Sequence, residues 1–266
     1  RSRQSGAVTH PEVCRAVAEL VLEAGAHPVI ADSAGVGTDT EQVIEFMGYQ
    51  ELRNDGYQVM DLKQDKVITI RNPEGRVLPK LKVFKTALNA GAIINLPVLK
   101  THDQTEITLG LKNLKGLLDD YSKKQMHRRG IFEGVPEIAS FFKPCLTVLD
   151  GIYSQEGVGP VFGDPVEMDL IAASTDPVAL DTIGGLIMSY QPEEVAITTL
   201  ASGLGLGTSR LSEIKLTGVP LESVCRRFRR CSESEILGQK LPCRLKIAVE
   251  TCTGCRNTVV AVLVEM

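Results

Sequence analysis

The chain has 266 residues, 43% of them hydrophobic, which is enough apolar material for one large α/β domain or for such a domain with a small appendage. A formal net charge of −4 argues against nucleic acid as a general partner, and no apolar run approaches the roughly 20 residues that span a bilayer. No signal-peptide pattern opens the chain, so the expectation is an intracellular, cytoplasmic protein with no membrane partner.

Residues 1–6 carry no strand pattern, and the apolar segment 257–266 stops without a cap, so the chain reads as a piece of a longer one. Thr9-His10-Pro11-Glu12 reads as a capping box with Pro in the first turn. The helix it opens places Val13, Val17, Leu20, Val21 and Ala24 at helical spacing, and Gly25 ends it. The apolar run 27–31 predicts a buried strand stopping at Asp32-Ser33, followed by a helix over 40–47. Segments 57–62 and 67–71 alternate and suggest an edge hairpin.

Residues 92–96 predict a further buried strand, after which Asp103-x-x-Glu106 looks like the cap of a helix with Ile107, Leu111, Leu114 and Leu118 on one face. Residues 145–149 predict a strand ending at Asp150-Gly151, and 170–173 predict another, followed by Asp176-Pro177 as N-cap and N1 of a helix reaching Met188. Short apolar strands alternating with helices predict an α/β fold with a mostly parallel sheet covered on both faces, residues 1–220, and a small cysteine-containing segment, residues 221–266.

In such sheets ligands bind beyond the carboxyl ends of the strands. The predicted strands end at Asp32 and Ser33, at Lys100, Thr101 and His102, at Asp150 and Glu156, and at Asp176, with Asp181 five residues into the next helix. Lys100 and His102 are expected before a helix N-terminus, whose free N–H groups favour an anion, and Lys112 and Lys115 are expected on one face with Thr108. A phosphate or carboxylate suits this pattern; a solvated lysine face beside a capped helix is the plainer alternative. The stretch YSKKQMHRRG, 121–130, is either a flap over an anion or a solvated loop that meets a partner. Gly35-Val36-Gly37 lacks the third glycine and the lysine of nucleotide-binding loops. Carboxylates of the loop 150–164, with His102, form a candidate divalent-metal set, although aspartates at strand ends are routine caps.

The blocks INLPVLKTH with TLGLKNLKG, then VLDGIYSQEGVGPVFGDP, then ASTDPVALDTIGG, together with the opening THPEVCRAVAELVLEAGA, resemble the signature blocks of the family known as domain of unknown function 362, over roughly residues 5–220. The resemblance implies that Lys100, His102, Lys112, Asn113, Asp150, Glu156, Asp176 and Asp181 belong to family motifs. It also implies an association with ferredoxin-type iron–sulfur modules and a setting in anaerobic metabolism, without one settled activity. Two features depart from the family: the opening strand with its Lys-Pro-Asn motif is absent before Arg1, and so is the closely spaced ferredoxin cysteine pattern.

Five of the seven cysteines follow residue 224. In a reducing compartment this placement suits metal or redox chemistry better than disulfides. Cys252 and Cys255 form a C-x-x-C after a predicted strand at 245–249, and Cys231, Cys243 or Cys225 would complete a four-thiolate set for an iron–sulfur cluster or zinc. Dithiol redox chemistry and inert cysteines are the alternatives. Three readings of function therefore stand together: a protein, enzyme or not, that holds a small anionic molecule; a metal- or electron-carrying accessory protein with a redox partner; and a non-catalytic partner-binding module.

Overall fold

The expected α/β class is the one found, in a computed structural model that describes residues 3–73 and 75–232. Helix α1, Pro11–Glu23, starts where His10 accepts the Glu12 N–H on Nδ1 at 3.3 Å and where Pro11 has no N–H to leave orphaned. Thr9, expected to be the cap, instead donates its hydroxyl to the Leu96 carbonyl at 2.6 Å and ties the helix entrance to the central sheet. Strand β1, Val29–Asp32, pairs in parallel with β2, Gln58–Asp61, across a crossover that holds α2, Thr40–Phe46, and α3, Tyr49–Asn54. Cys14, Ile44, Met47, Tyr49 and Leu52 pack this unit together.

The predicted hairpin of 57–62 with 67–71 is not formed. Instead β2 pairs with β1, while β3, Val67–Arg71, pairs antiparallel with β4, Lys80–Phe84, and α4, Lys85–Asn89, follows. The partner sits beyond a loop that the local alternation of residues 67–71 does not report.

The central sheet consists of β5, Ile94–Asn95; β6, Val98–Thr101; β7, Ile107–Thr108; β8, Leu146–Glu156; and β9, Asp164–Ser174. Strands β5 and β6 both run parallel to β8, while β7 and β9 pair antiparallel with β6 and β8. Pro97 lies in the gap between β5 and β6, and its carbonyl still accepts the Asp150 N–H at 2.8 Å. Because β9 pairs with β8 from Thr147 to Glu156, β8 does not stop at Asp150 as predicted: Asp150 is interior to the strand and Glu156 is at its end.

A second departure lies between β6 and β7. Asp103-x-x-Glu106 does not cap a helix: the His102 N–H bonds the Glu106 carbonyl at 2.8 Å, Glu106 takes a left-handed φ of 56°, and the segment is a hairpin turn. The helix begins later, as α5, Gly110–Asn113, and continues in a 3-10 turn, Leu114–Leu117. Leu111, Leu114 and Leu118 enter one core with Val135 and Ile138, whereas Ile107 enters another with Leu149 and Ile183. The remaining helices are α6, Asp120–Arg129; α7, Ile131–Phe141; α8, Pro177–Ile187; α9, Ala196–Gly203; and α10, Leu221–Val224.

Helix α5 is held from a distance. Asp181 of α8, 3% exposed, accepts the Gly110 N–H at 2.7 Å and the Leu111 N–H at 2.9 Å, so one carboxylate satisfies two otherwise orphaned donors. Burial raises its pKa from 3.8 to about 7, against the pull of the two backbone hydrogen bonds. Between those values the folded chain holds a proton that the unfolded chain has lost, so this group makes stability fall as pH rises through that window. Asp181→Ala leaves two buried N–H groups unpaired and is expected to lower the unfolding free energy by about 2–4 kcal/mol in urea titration. An unchanged midpoint would remove the carboxylate from this role.

Candidate functional site

Basic side chains from four elements meet beside the carboxyl end of β1. Lys100 comes from β6, Lys112 from α5, Lys115 from the 3-10 turn, and Lys123 and His127, one helical turn apart, from α6. The pieces are stitched by hydrogen bonds. Ser33 Oγ donates to the Gly116 carbonyl at 2.6 Å, and Lys123 Nζ donates to the Ser33 and Ala34 carbonyls at 2.9 and 3.1 Å. Lys112 Nζ donates at 2.8 Å to the Thr105 hydroxyl, whose own proton goes to the Ile107 carbonyl. Lys115 meets His127, and His127 Nδ1 meets Gln104 Oε1 at 3.1 Å. The basic stretch 121–130 therefore divides: Lys123 and His127 join the cluster, while Lys124, Arg128 and Arg129 are exposed.

Two close backbone approaches make this convergence possible. A Cβ on Gly116 would strike the Asp32 carboxylate, and one on Gly159 would strike the Thr101 carbonyl. Through Gly159 the loop after β8 lies on β6, where Thr101 Oγ1 donates to the Gly157 carbonyl at 2.8 Å and the Asp103 N–H to the Gly159 carbonyl at 3.0 Å.

Lys100 and Lys112 are 9% and 6% exposed. Among the described residues, no carboxylate is ion-paired with Lys100, Lys112 or Lys115, whereas Lys123 has Asp120 at 3.8 Å. Lys100 instead donates to the Ala7 carbonyl at 2.6 Å. Burial pulls its pKa down to about 8, while Asp32 and Asp150 pull it back up. Lys112 is pushed well below the ordinary lysine value by burial and then by Lys115. Lys115 falls to about 8 through burial and Lys123, opposed by Asp103.

His102 is buried, and burial, Lys112 and Lys115 drive its pKa far down, so the ring is neutral. Its Nδ1 accepts the Gln104 N–H at 2.9 Å. Asp103 Oδ1 also lies 3.0 Å from that nitrogen, but a nitrogen already accepting a hydrogen bond has no proton to give, so we read this contact as proximity rather than as an ion pair. Asp32 keeps exposed surface although many protein atoms surround its carboxyl; loss of bulk hydration raises its pKa, and Lys123 and then the Ser33 N–H oppose the rise.

Of the eight site residues read from the sequence, Lys100, His102 and Lys112 converge here, with Asp150 near Lys100. Lys100 and His102 do so from a strand and its hairpin turn, not from a helix N-terminus. Asp150 gives its oxygens to the His10 and Ile152 N–H groups at 2.6 and 3.0 Å, so it anchors α1 to β8. Asn113 donates to Asn95, which donates to the Gly110 carbonyl, both at 2.8 Å. Asp176 caps α8 through the Val178 and Ala179 N–H groups and also accepts from the Thr208 N–H, and Glu156 accepts the Arg229 N–H at 2.9 Å. These are structural engagements. Gln104 and Thr105 were missed, since a glutamine and a threonine in a turn give no pattern of their own. Thr108 lies on β7, with its hydroxyl buried and unpartnered, rather than on a helix face with the lysines.

A hollow lined by Ala139, Lys143, Pro144 and Leu206 shares no residue with this cluster. Among the described residues no three His, Cys, Asp or Glu side chains converge to hold a metal ion, so the set of 150–164 carboxylates with His102 is not assembled. Cys231 is described, with Sγ 4.0 Å from the Ser232 carbonyl, whereas Cys243, Cys252 and Cys255 lie outside the described residues. No helix among the described residues is long and apolar enough to cross a membrane.

No solved structure matches the chain. The thylakoid-associated protein sll1697 of Synechocystis sp. (strain ATCC 27184 / PCC 6803 / Kazusa) is 35% identical over 209 residues, covering 75% of this chain and 63% of the relative. The chain thus spans less than two thirds of that protein's length. The family model described as domain of unknown function (DUF362) matches residues 1–185, so the chain belongs to that family.

Proposed function

We propose that the protein binds a small anionic compound, a phosphate or a carboxylate, against Lys100, Lys112 and Lys115. The observation that carries this reading is three largely buried lysines gathered near the carboxyl end of β1 with no carboxylate paired to them among the described residues. An ammonium removed from water is costly unless it is paired or neutralised, and the lowered pKa values express that cost. An arriving anion supplies the missing partner. Lys115 and His127 meet water and form the entrance; Lys100 and Lys112 lie behind. Neutral His102 offers this ligand a ring nitrogen rather than a charge.

An iron–sulfur or zinc centre on the 221–266 cysteines, with a redox partner, stays a second proposal, tested by the iron, sulfide and zinc content of anaerobically purified protein. For location we propose the cytoplasm; the cyanobacterial relative's name raises thylakoid association as the alternative, and membrane fractionation separates the two.

Inorganic phosphate at constant ionic strength is expected to raise the melting temperature of the wild type. Lys100→Met and Lys112→Met, which keep side-chain bulk, are expected to abolish that rise; a rise unchanged in both variants would refute the site. The ligand needs the ammonium forms, and the free site loses protons near pH 8 at Lys100 and Lys115. Phosphate affinity, measured by calorimetry, is therefore expected to fall as pH rises from about 7 to 9, by roughly tenfold for each proton the complex requires. Affinity that is flat over that range would show that these two amines are not the binding groups.

A further inference from the structure

The part of the cluster that meets water has an arrangement that anion binding alone does not require. Lys115 is partly exposed and His127 is exposed, so a ligand atom has access to both. Lys115 Nζ contacts His127 Nε2, and His127 Nδ1 faces Gln104 Oε1 at 3.1 Å. An amide oxygen only accepts hydrogen bonds, so the contact with Gln104 places a ring proton on Nδ1, and Nε2 is the ring nitrogen that faces the amine. This is a nucleophile, a base and an orienting group in line, the arrangement that activates weak nucleophiles. The three parts come from separate elements: the 3-10 turn, α6 and the β6–β7 turn.

We propose that Lys115 is a nucleophilic amine that captures the carbonyl carbon of an anionic aldehyde or ketone as an imine, with His127 carrying the protons and Gln104 holding the ring. This rests on the anion reading above: Lys100 and Lys112 hold the carboxylate or phosphate and Lys115 meets the carbonyl. The neutral amine adds to the carbonyl carbon, a C–N bond forms, and the π pair moves to oxygen. His127 takes one proton from nitrogen and passes it to that oxygen, giving a carbinolamine. The C–O bond then breaks; the second nitrogen proton travels through His127 to the departing hydroxyl, which leaves as water, while the nitrogen lone pair completes the C=N bond. One amine and one carbonyl give one imine and one water, with no oxidant or reductant.

The surroundings favour the neutral amine. The charged and titratable groups acting on Lys115 are Lys123 and His127 of α6, Lys112 of α5, and Asp103 and His102 of the β6–β7 turn. With its pKa at about 8, about a tenth of Lys115 is unprotonated at pH 7, against roughly one part in several thousand for an ordinary lysine.

The test uses glyoxylate, an anionic aldehyde, and propionaldehyde, a neutral one, each followed by cyanoborohydride and peptide mass spectrometry on the whole chain. Glyoxylate is expected to leave a secondary amine on Lys115 at least about tenfold faster than on exposed Lys124, and faster than propionaldehyde does. His127→Gln is expected to slow adduct formation by on the order of a hundredfold, Lys115→Arg to abolish it at that position, and Lys124→Arg to leave it unchanged. Melting curves establish that each variant is folded, and Lys115 labelling in the wild type needs no variant at all. If phosphate still stabilises the wild type but glyoxylate marks Lys115 no faster than Lys124, the imine step is wrong and the anion site stands. If neither effect occurs, both fail.

Discussion

Removing an ammonium group from water without giving it a carboxylate is the constraint around which this site is arranged. A lysine in such a place either finds neutral oxygens, loses its proton, or waits for an anion. All three responses occur within one neighbourhood. Lys123 takes the neutral-oxygen route most fully, bonding the Ser33 and Ala34 carbonyls and standing near Asp120. Lys112 has a hydroxyl as its hydrogen-bond partner and is pushed toward the neutral form. Lys100 and Lys115, set near pH 8, are the amines that titrate close to physiological conditions. The carboxylates nearby temper this field without cancelling it, because Asp150 is committed to backbone N–H groups and Asp32 sits beside the cluster rather than paired within it.

The scaffold holds that arrangement against like-charge repulsion by using backbone groups as fasteners. Asp181 reaches from α8 to fix the start of α5, and so the position of Lys112 two residues further on. Asp150 joins the entrance of α1 to β8, and Thr9 joins the same entrance to Leu96, just before β6. The bare Gly116 and Gly159 permit two close approaches, one against the Asp32 carboxylate and the other against the Thr101 carbonyl. Several acidic residues expected to meet a ligand thus act as fasteners on backbone N–H groups, and the cluster itself is predominantly basic.

The two departures in the sheet share a cause. Hydrophobic alternation reports that a segment is a strand and which face it buries, but not which strand it pairs with; hence 57–62 was matched to its sequence neighbour when its partner is β1, 29 residues back at the Val29–Gln58 pair. The acidic residues at 103 and 106 mimic a capping box because a cap and a tight turn use the same short polar side chains. Only the antiparallel pairing of Lys100 with Thr108 shows that the chain reverses there instead of entering a helix.

By itself the sequence determined the α/β class, the family, the helices at 11–23, 40–46 and 177–187, and the segments that carry the basic residues. These follow from local periodicity, from capping at Asp176-Pro177, and from contiguous motif blocks, all of which act over a few residues. The tertiary structure alone decided that Lys123 and His127 lie with Lys100, Lys112 and Lys115, that Gln104 meets His127, and that Asp176 and Asp181 serve backbone N–H groups. Those outcomes depend on contacts between elements distant along the chain and on which side chain loses its water, and both are properties of the packed molecule.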